Sequence, residues 1–198
     1  MKIYLLRHGE TDWSKVGRLQ GHTDNPLNER GIRQICDAGD YFLREGETID
    51  VIVSSPLIRA RKSAEIIADK IGYDKGDIVI EQGLIERCFG PKEGLTGEEF
   101  ATLTAKERAE RIAEKGAAET VDEICERAGV AIQKVCDEHL GKTILITAHG
   151  SIIKAILAAA TKGAHSFNEG VAIFGTGEFC ILEYDGNVFT TQHSWNTV

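Results

Sequence analysis

The sequence predicts an α/β fold, a three-layer sandwich in which a mainly parallel, mixed sheet carries helices on both faces. Three observations point there. The apolar runs at Ile3-Tyr4-Leu5-Leu6, Val51-Ile52-Val53 and Ile144-Leu145-Ile146 are continuous rather than alternating, as in strands covered on both faces. Segments with helical periodicity separate these runs, the alternation that builds a parallel sheet. The segment 178–192 turns at Asp185-Gly186-Asn187, which reads as a closing hairpin and makes the sheet mixed.

Residues 2–7 form the first strand. Residues 9–28 carry Gly, Asp, Asn and Pro and read as a long loop over the strand end. A helix over 29–45 follows, with Ile32, Ile35, Cys36, Gly39, Phe42 and Leu43 on its inner face. Residues 51–54 are a short buried strand. Pro56 opens a helix that runs to about Ile71, since proline suits a first helical turn. Residues 78–80 are a strand and 81–97 a loop. A charged amphipathic helix is expected over 98–114 and a second helix over 120–139, with Val121, Ile124, Cys125, Ala128, Ile132, Val135 and Cys136 as its stripe. Residues 143–148 are a strand, followed by an apolar helix from Ser151 to about Thr161. With three prolines and neither a repeat nor a Ser/Gly-rich linker, residues 1–198 read as a single domain.

Composition restricts function. An apolar content of 42% and a charged content of 27% are those of a soluble globular chain. No apolar run nears the roughly 20 residues that span a bilayer. The first residues are strand-like and lack the charged n-region and cleavage signal of a secretory peptide, so a cytoplasmic location is expected. Cys36, Cys88, Cys125, Cys136 and Cys180 are odd in number and make no C-x-x-C, which reads as reduced thiols serving as buried filler. The formal net charge of −8 argues against nucleic-acid or anionic-membrane partners, which need a basic face. It also repels phosphorylated ligands, so any phosphate site must rest on a local arginine cluster. Oligomeric state is not legible.

Ligands of parallel sheets bind beyond the carboxyl ends of the strands. There the chain places Arg7-His8-Gly9 after the first strand, Ser54-Ser55-Pro56 with Arg59 and Arg61 after the second, Glu86 and Arg87 after the third, and His149-Gly150 after the run 143–147. Two imidazoles, two to four guanidinium groups and a carboxylate would therefore converge. Arginines beside the histidines disfavour a divalent metal, whose sites use three or four His, Cys or carboxylate ligands, and no metal is expected. They favour a phosphoryl group, which guanidinium binds bidentately without losing its charge. Histidine can act there as nucleophile or base; at pH 7 roughly three quarters of an ordinary imidazole is already neutral. A carboxyl group beside the leaving oxygen can serve as general acid.

These residues stand in motifs. Arg7-His8-Gly9-Glu10-Thr11-Asp12-Trp13, then Arg18-Leu19-Gln20-Gly21, Asp24-Asn25-Pro26-Leu27 and Gly31, then Ser54-Ser55-Pro56-Leu57-Ile58-Arg59-Ala60-Arg61, then Leu84-Ile85-Glu86-Arg87 with Phe89-Gly90 and Glu93-Gly94, and finally His149-Gly150, resemble in the same order the motifs of the histidine phosphatase superfamily, the phosphoglycerate mutase-like family. The resemblance covers nearly the whole chain. It implies that His8 is the nucleophile that becomes phosphohistidine, that Arg7, Arg59 and His149 hold the phosphoryl oxygens, and that Glu86 protonates the leaving oxygen and then activates water. It implies further that Ser14, Gln20, Gly21, Arg61, Arg87 and Gly150 bind substrate, Arg61 having a surface acid as its competing partner. The chain departs from the pattern at Ser14, where many members have Asn, at Asn28, where Thr is frequent, and at Ala118-Glu119-Thr120, a weak match to Gly-Glu-Ser.

Of the remaining histidines, His22 lies near the site and is a candidate substrate contact, whereas His139, His165 and His193 read as surface or capping residues. Gly175-Thr176-Gly177 precedes a strand rather than a helix and is no dinucleotide fingerprint. The run Lys106–Lys115 reads as a solvated helix face placed where a lid would be. Family members either hydrolyse phosphate esters or move a phosphoryl group within a substrate. The compact loop 86–97, followed by a glutamate-rich segment, favours a phosphatase of small phosphorylated metabolites with no cofactor. The alternative is a phosphoglycerate mutase using 2,3-bisphosphoglycerate, and an alternative of another class is a phosphate-ligand-binding protein without turnover.

Overall fold

A computed structural model describes residues 1–161, 167 and 175–192. The strands are β1 (Lys2–Arg7), β2 (Val51–Ser54), β3 (Val79–Ile80), β4 (Thr143–Ala148), β5 (Phe179–Tyr184) and β6 (Phe189–Gln192). They form one sheet in the order β3-β2-β4-β1-β5-β6. The first four are parallel, and β5 and β6 run antiparallel to their neighbours, as expected for a parallel sheet closed by a hairpin.

Side chains of a strand alternate between faces, and here both faces are apolar. Ile3 and Leu5 of β1, Ile144 and Ile146 of β4, and Leu182 of β5 face one core, which is completed by Ile124, Ala128, Ile132, Ile153 and Ile156. Those residues belong to helices α6 (Val121–Glu138) and α7 (Gly150–Ala160). Tyr4, Leu6, Ile52, Leu145 and Phe179 face the other core, against α2 (Glu29–Arg44) and α3 (Ile58–Ile71). Tyr4 meets Phe42 and Phe179 edge to face, with centroids 5.0 and 5.5 Å apart. The three-layer sandwich is therefore present, and each central strand reads as an unbroken apolar run because both of its faces are covered.

Several elements differ from the sequence reading. The loop 9–28 contains a one-turn helix, α1 (Asp12–Lys15), closed by a capping box between Thr11 and Ser14. The helix expected over 98–114 is two helices, α4 (Gly97–Thr102) and α5 (Ala105–Lys115). Each begins with its own capping box, Thr96 with Glu99 and Thr104 with Glu107. The second Thr-x-x-Glu satisfies the free amides of a new helix start and breaks the chain at Leu103. On α2 the buried stripe is Gly31, Ile35, Ala38, Gly39 and Phe42, while Ile32 and Leu43, expected inside, are 40% and 54% exposed. Pro56 stands two residues ahead of α3, whose N-cap is Leu57.

Close packing holds α2 at the end of β1. A Cβ on Gly31 would lie 2.1 Å from the Glu10 carbonyl oxygen, and one on Gly9 would lie 2.3 Å from the Gly31 oxygen. Only two glycines allow these backbones to approach so closely. Asn28 caps α2 through the Gly31 amide at 2.8 Å. All five cysteines are free thiols, but only Cys136 and Cys180 are buried; burial raises these two to about 12, as for inert filler, whereas Cys36, Cys88 and Cys125, expected inside, are only partly buried. No helix of the described residues is long and apolar enough to cross a membrane.

Candidate active site

In the parallel register Arg7 pairs with Ala148, so the next residue of each strand, His8 and His149, lie side by side. The His8 amide donates to the Ala148 carbonyl at 3.0 Å, and the ring centroids are 5.1 Å apart, close to the spacing of neighbouring strands. Both imidazoles are buried. Burial, together with the nearby charges of Arg59 and Arg7, holds each well below the ordinary histidine value, so both rings are neutral at physiological pH.

Hydrogen bonds define their tautomers. His8 Nδ1 lies 2.7 Å from the Gly9 carbonyl oxygen, an acceptor only, so Nδ1 carries the proton and Nε2 keeps its lone pair. His149 Nε2 lies 2.7 Å from Ser55 Oγ. The Leu57 amide donates to that same oxygen, and the Ser55 hydroxyl proton has no acceptor among the described residues other than this ring nitrogen, so Nε2 accepts it. His149 Nδ1 is then a donor, buried and without a partner among the described residues. His149 is not among the residues that line the open cleft; it stands beside His8, one strand over.

The cleft has a volume of about 360 Å³, and its walls include Arg7, His8, Gln20, Gly21, Arg59 and Glu86. Arg59 is fully buried. Its Nη1 donates to the Thr23 carbonyl at 2.9 Å and Nη2 to the Gly21 carbonyl at 2.8 Å, while Nε has no partner among the described residues. Burial lowers its pKa to about 10 against the opposing pull of Glu86, Asp24 and Glu93, so it remains a cation. Burial likewise lowers Arg7. Glu86 is buried at the start of α7, where its carboxylate accepts from the amides of Arg87, Ser151 and Ile152 at 2.8, 3.3 and 3.2 Å. The Ser151 and Ile152 amides are unpaired donors of the α7 N-terminus.

Of the expected binding residues, Ser14, Gln20, Gly21, Arg87 and Gly150 all border the cleft. Gln20 Oε1 accepts from Thr11 at 3.0 Å, which leaves its amide hydrogens for a ligand. The Ser14 hydroxyl, however, donates to the Thr11 carbonyl at 3.0 Å as part of the α1 cap, so its single proton is already committed. Arg61 is not brought to the cleft. It stands two residues beyond Arg59 on α3, about 200° around a helix, and lines a separate groove with Glu65 and Ile80. His22 is a strut rather than a wall residue, its Nε2 2.8 Å from the Glu86 carbonyl oxygen. His139 is the C-cap of α6; His165 and His193 lie outside the described residues. Gly177, in the segment without a dinucleotide role, donates its amide to the carbonyls of Arg7 and His8 at 3.1 and 3.2 Å and so fastens the end of β1.

Four groups escaped the sequence reading. Glu93, buried, accepts from the amides of His22 and Phe89 and from the Thr23 hydroxyl, each at 3.1 Å, and so ties loop 18–25 to the loop carrying Glu86. A Cβ on Gly21 would fall onto that carboxylate, 1.9 Å from Oε1. Arg127 of α6 donates to the Gly83 and Ile85 carbonyls at 2.7 and 2.9 Å and pairs with Glu119, bracing the approach to Glu86. Arg18 borders the cleft but spends its guanidinium on Glu99 and the Gly94 carbonyl. Lys154 of α7 also borders the cleft; its signal in the sequence was a lone charge within an apolar helix.

Two cations and a neutral imidazole with a free lone pair form a site fitted to a phosphate and to nucleophilic attack on it. Among the described residues no group of three His, Cys, Asp or Glu side chains could hold a metal ion.

Comparison with known proteins agrees with this geometry. Residues 3–197 match the family model of the histidine phosphatase superfamily (branch 1). The chain is similar to an uncharacterized phosphatase, PhoE, of Bacillus subtilis, 37% identical over 161 residues, or 81% of this chain and 78% of the relative. It is also similar to phosphoglycerate mutase-like protein 4 of Arabidopsis thaliana, 29% identical over 96% of this chain and 83% of that one. Among solved structures it is similar to a phosphoserine phosphatase of Entamoeba histolytica in complex with 3-phosphoglyceric acid, with a TM-score of 0.77 and 27% identity over 100% of this chain and 97% of that one. The chain therefore belongs to the histidine phosphatase superfamily and is an enzyme of the phosphatase or mutase kind.

Proposed function

We propose that this enzyme is a metal-independent phosphatase that hydrolyses phosphate monoesters of small metabolites through a phosphohistidine on His8. The observation that carries the reading is the His8 Nδ1 contact to the Gly9 carbonyl, which leaves Nε2 unprotonated beside the fully buried Arg59 and the half-buried Arg7. Arg7, Arg59 and the Nδ1–H of His149 hold the phosphoryl oxygens as fixed donors and stabilise charge as the transition state forms. Nε2 of His8 attacks phosphorus as the bond to the ester oxygen breaks, and the leaving oxygen takes a proton from the Glu86 carboxyl. Water enters, Glu86 removes a proton from it, and the resulting oxygen displaces His8 to release phosphate. Gln20 and the Gly21 backbone complete the wall around the phosphate. The arginines supply the positive charge that a metal would otherwise provide.

The test is hydrolysis of p-nitrophenyl phosphate at mildly acidic pH, with His8→Ala as control and EDTA present in a parallel sample. Turnover that is insensitive to EDTA and abolished in His8→Ala is expected, together with an alkali-stable, acid-labile phosphoenzyme in the wild type. Equal activity of wild type and His8→Ala would remove the enzymatic reading. Feeding 3-phosphoglycerate with and without 2,3-bisphosphoglycerate separates the two family activities: free phosphate is expected, and rapid formation of 2-phosphoglycerate would assign a mutase.

A further inference from the structure

Lys154 is the only charged residue of α7, within the sequence Gly-Ser-Ile-Ile-Lys-Ala-Ile-Leu-Ala-Ala-Ala. It is half-buried and borders the cleft beside Arg87 and Phe167. Of the neighbouring basic side chains on this wall, Arg18 is committed to Glu99, and Arg87 spends its Nε on the Glu119 carbonyl. Lys154 has neither a hydrogen bond nor an ion pair among the described residues, in a chain whose acids outnumber its bases by 31 to 23.

Its place on the helix sets its distance from the reacting phosphate. Gly150 packs against Arg7, its Cβ position 3.5 Å from Cζ, and the Ser151 amide reaches Glu86. Lys154 follows these by four and three residues and shares their face, displaced by about one turn, or 5.4 Å. The cleft thus has Arg7 and Arg59 for a phosphoryl group and, about one helical turn from them, the ammonium of Lys154, which has no partner among the described residues. A half-buried cation without a partner loses hydration that only an anion restores.

Building on the phosphatase reading, we infer that Lys154 forms a second anion subsite, selecting phosphomonoesters that carry a further carboxylate or phosphate about a three-carbon skeleton away from the scissile ester. Lys154 acts there as a specificity-determining residue rather than a catalytic one.

The test compares kcat/KM for 3-phosphoglycerate and for glycerol 3-phosphate, which exchanges the carboxylate for a neutral hydroxymethyl on the same skeleton. A preference of about tenfold or more for the acid is expected, the size of one charge-assisted hydrogen bond. Lys154→Met should bring that ratio near one, chiefly through KM for the acid, and Lys154→Arg should retain it. Propane-1,3-diol bisphosphate against 3-hydroxypropyl phosphate, on the same three-carbon skeleton, reads whether a phosphate serves as the second anion. No preference in the wild type, or an equal loss for charged and neutral esters in Lys154→Met, overturns the inference while leaving the phosphatase reading intact. If no ester is turned over, the phosphatase reading fails. Calorimetric titration with 3-phosphoglycerate then still reads the subsite, and equal affinity of wild type and Lys154→Met overturns it.

Discussion

Replacing Glu93 tests whether the cleft is held from behind. Its Oε1 accepts from the His22 and Phe89 amides and its Oε2 from the Thr23 hydroxyl. The same loop presents the Gly21 and Thr23 carbonyls that grip Arg59. In Glu93→Gln one oxygen still accepts from both amides, and the Thr23 hydroxyl can rotate to accept from the new amide. The loss is then charge assistance alone, about 1 kcal/mol. In Glu93→Ala two amides lose their acceptor. At about 1–3 kcal/mol each, discounted because the loop is only partly buried, the loss is about 2–4 kcal/mol. That is a large share of an ordinary domain's stability. Urea unfolding of the two variants should therefore separate them, with Ala clearly the weaker. Because Arg59 depends on the displaced carbonyls, Glu93→Ala should also raise KM for p-nitrophenyl phosphate more than it lowers kcat. Equal stability of the two variants would refute the hydrogen-bond argument. A destabilised Glu93→Ala with wild-type KM would show that Arg59 is not positioned through this carboxylate.

Stability should also depend on pH through the two buried imidazoles. Both are depressed in the folded state, so below the unfolded value near 6.5 the unfolded chain binds protons that the native chain refuses. Stability is then lost as pH falls from about 6.5, by up to about 1.4 kcal/mol per pH unit for each histidine, with no contribution above it. Urea midpoints at pH 7.5 and 5.5 should show this, with a shallower fall in His149→Asn; equal slopes would contradict it. Gly31→Ala forces a Cβ against the Glu10 backbone and should cost about 1–3 kcal/mol or more in a thermal melt. Gly97→Ala, which meets open space, should be neutral or slightly stabilising.

The central sheet was legible because its strands are apolar on both faces and its helices are long. The convergence of His8, His149, Arg7, Arg59 and Glu86 was legible because parallel strands end together. The failures have local causes. The break between α4 and α5 was written in Thr104-x-x-Glu107 but was masked by a helical charge pattern continuous across it. Arg61 was drawn in by its proximity to Arg59, although two helical residues point to opposite sides. Ser14 does border the cleft, but its hydroxyl proton goes to the Thr11 carbonyl, a local cap that its place in the motif does not reveal. Glu93 stood in a matched motif without a role, since a carboxylate that accepts from two separate loops acquires its meaning only when those loops meet. Lys154 was hidden by the apolar character of the helix around it.

The lateral register of β1 and β4 has a consequence for how the molecule opens. The two imidazoles follow directly on central strands whose amides should be among the last to exchange with solvent, because strands at the middle of a sheet open only with global unfolding. The loops bearing Gln20, Glu86 and Arg87 hang from the same sheet through a few polar ties and should exchange far sooner. Reactive nitrogen and substrate-sorting walls thus belong to different cooperative units. Sequence drift in the walls can retune which ester enters without disturbing the backbone that aims His8.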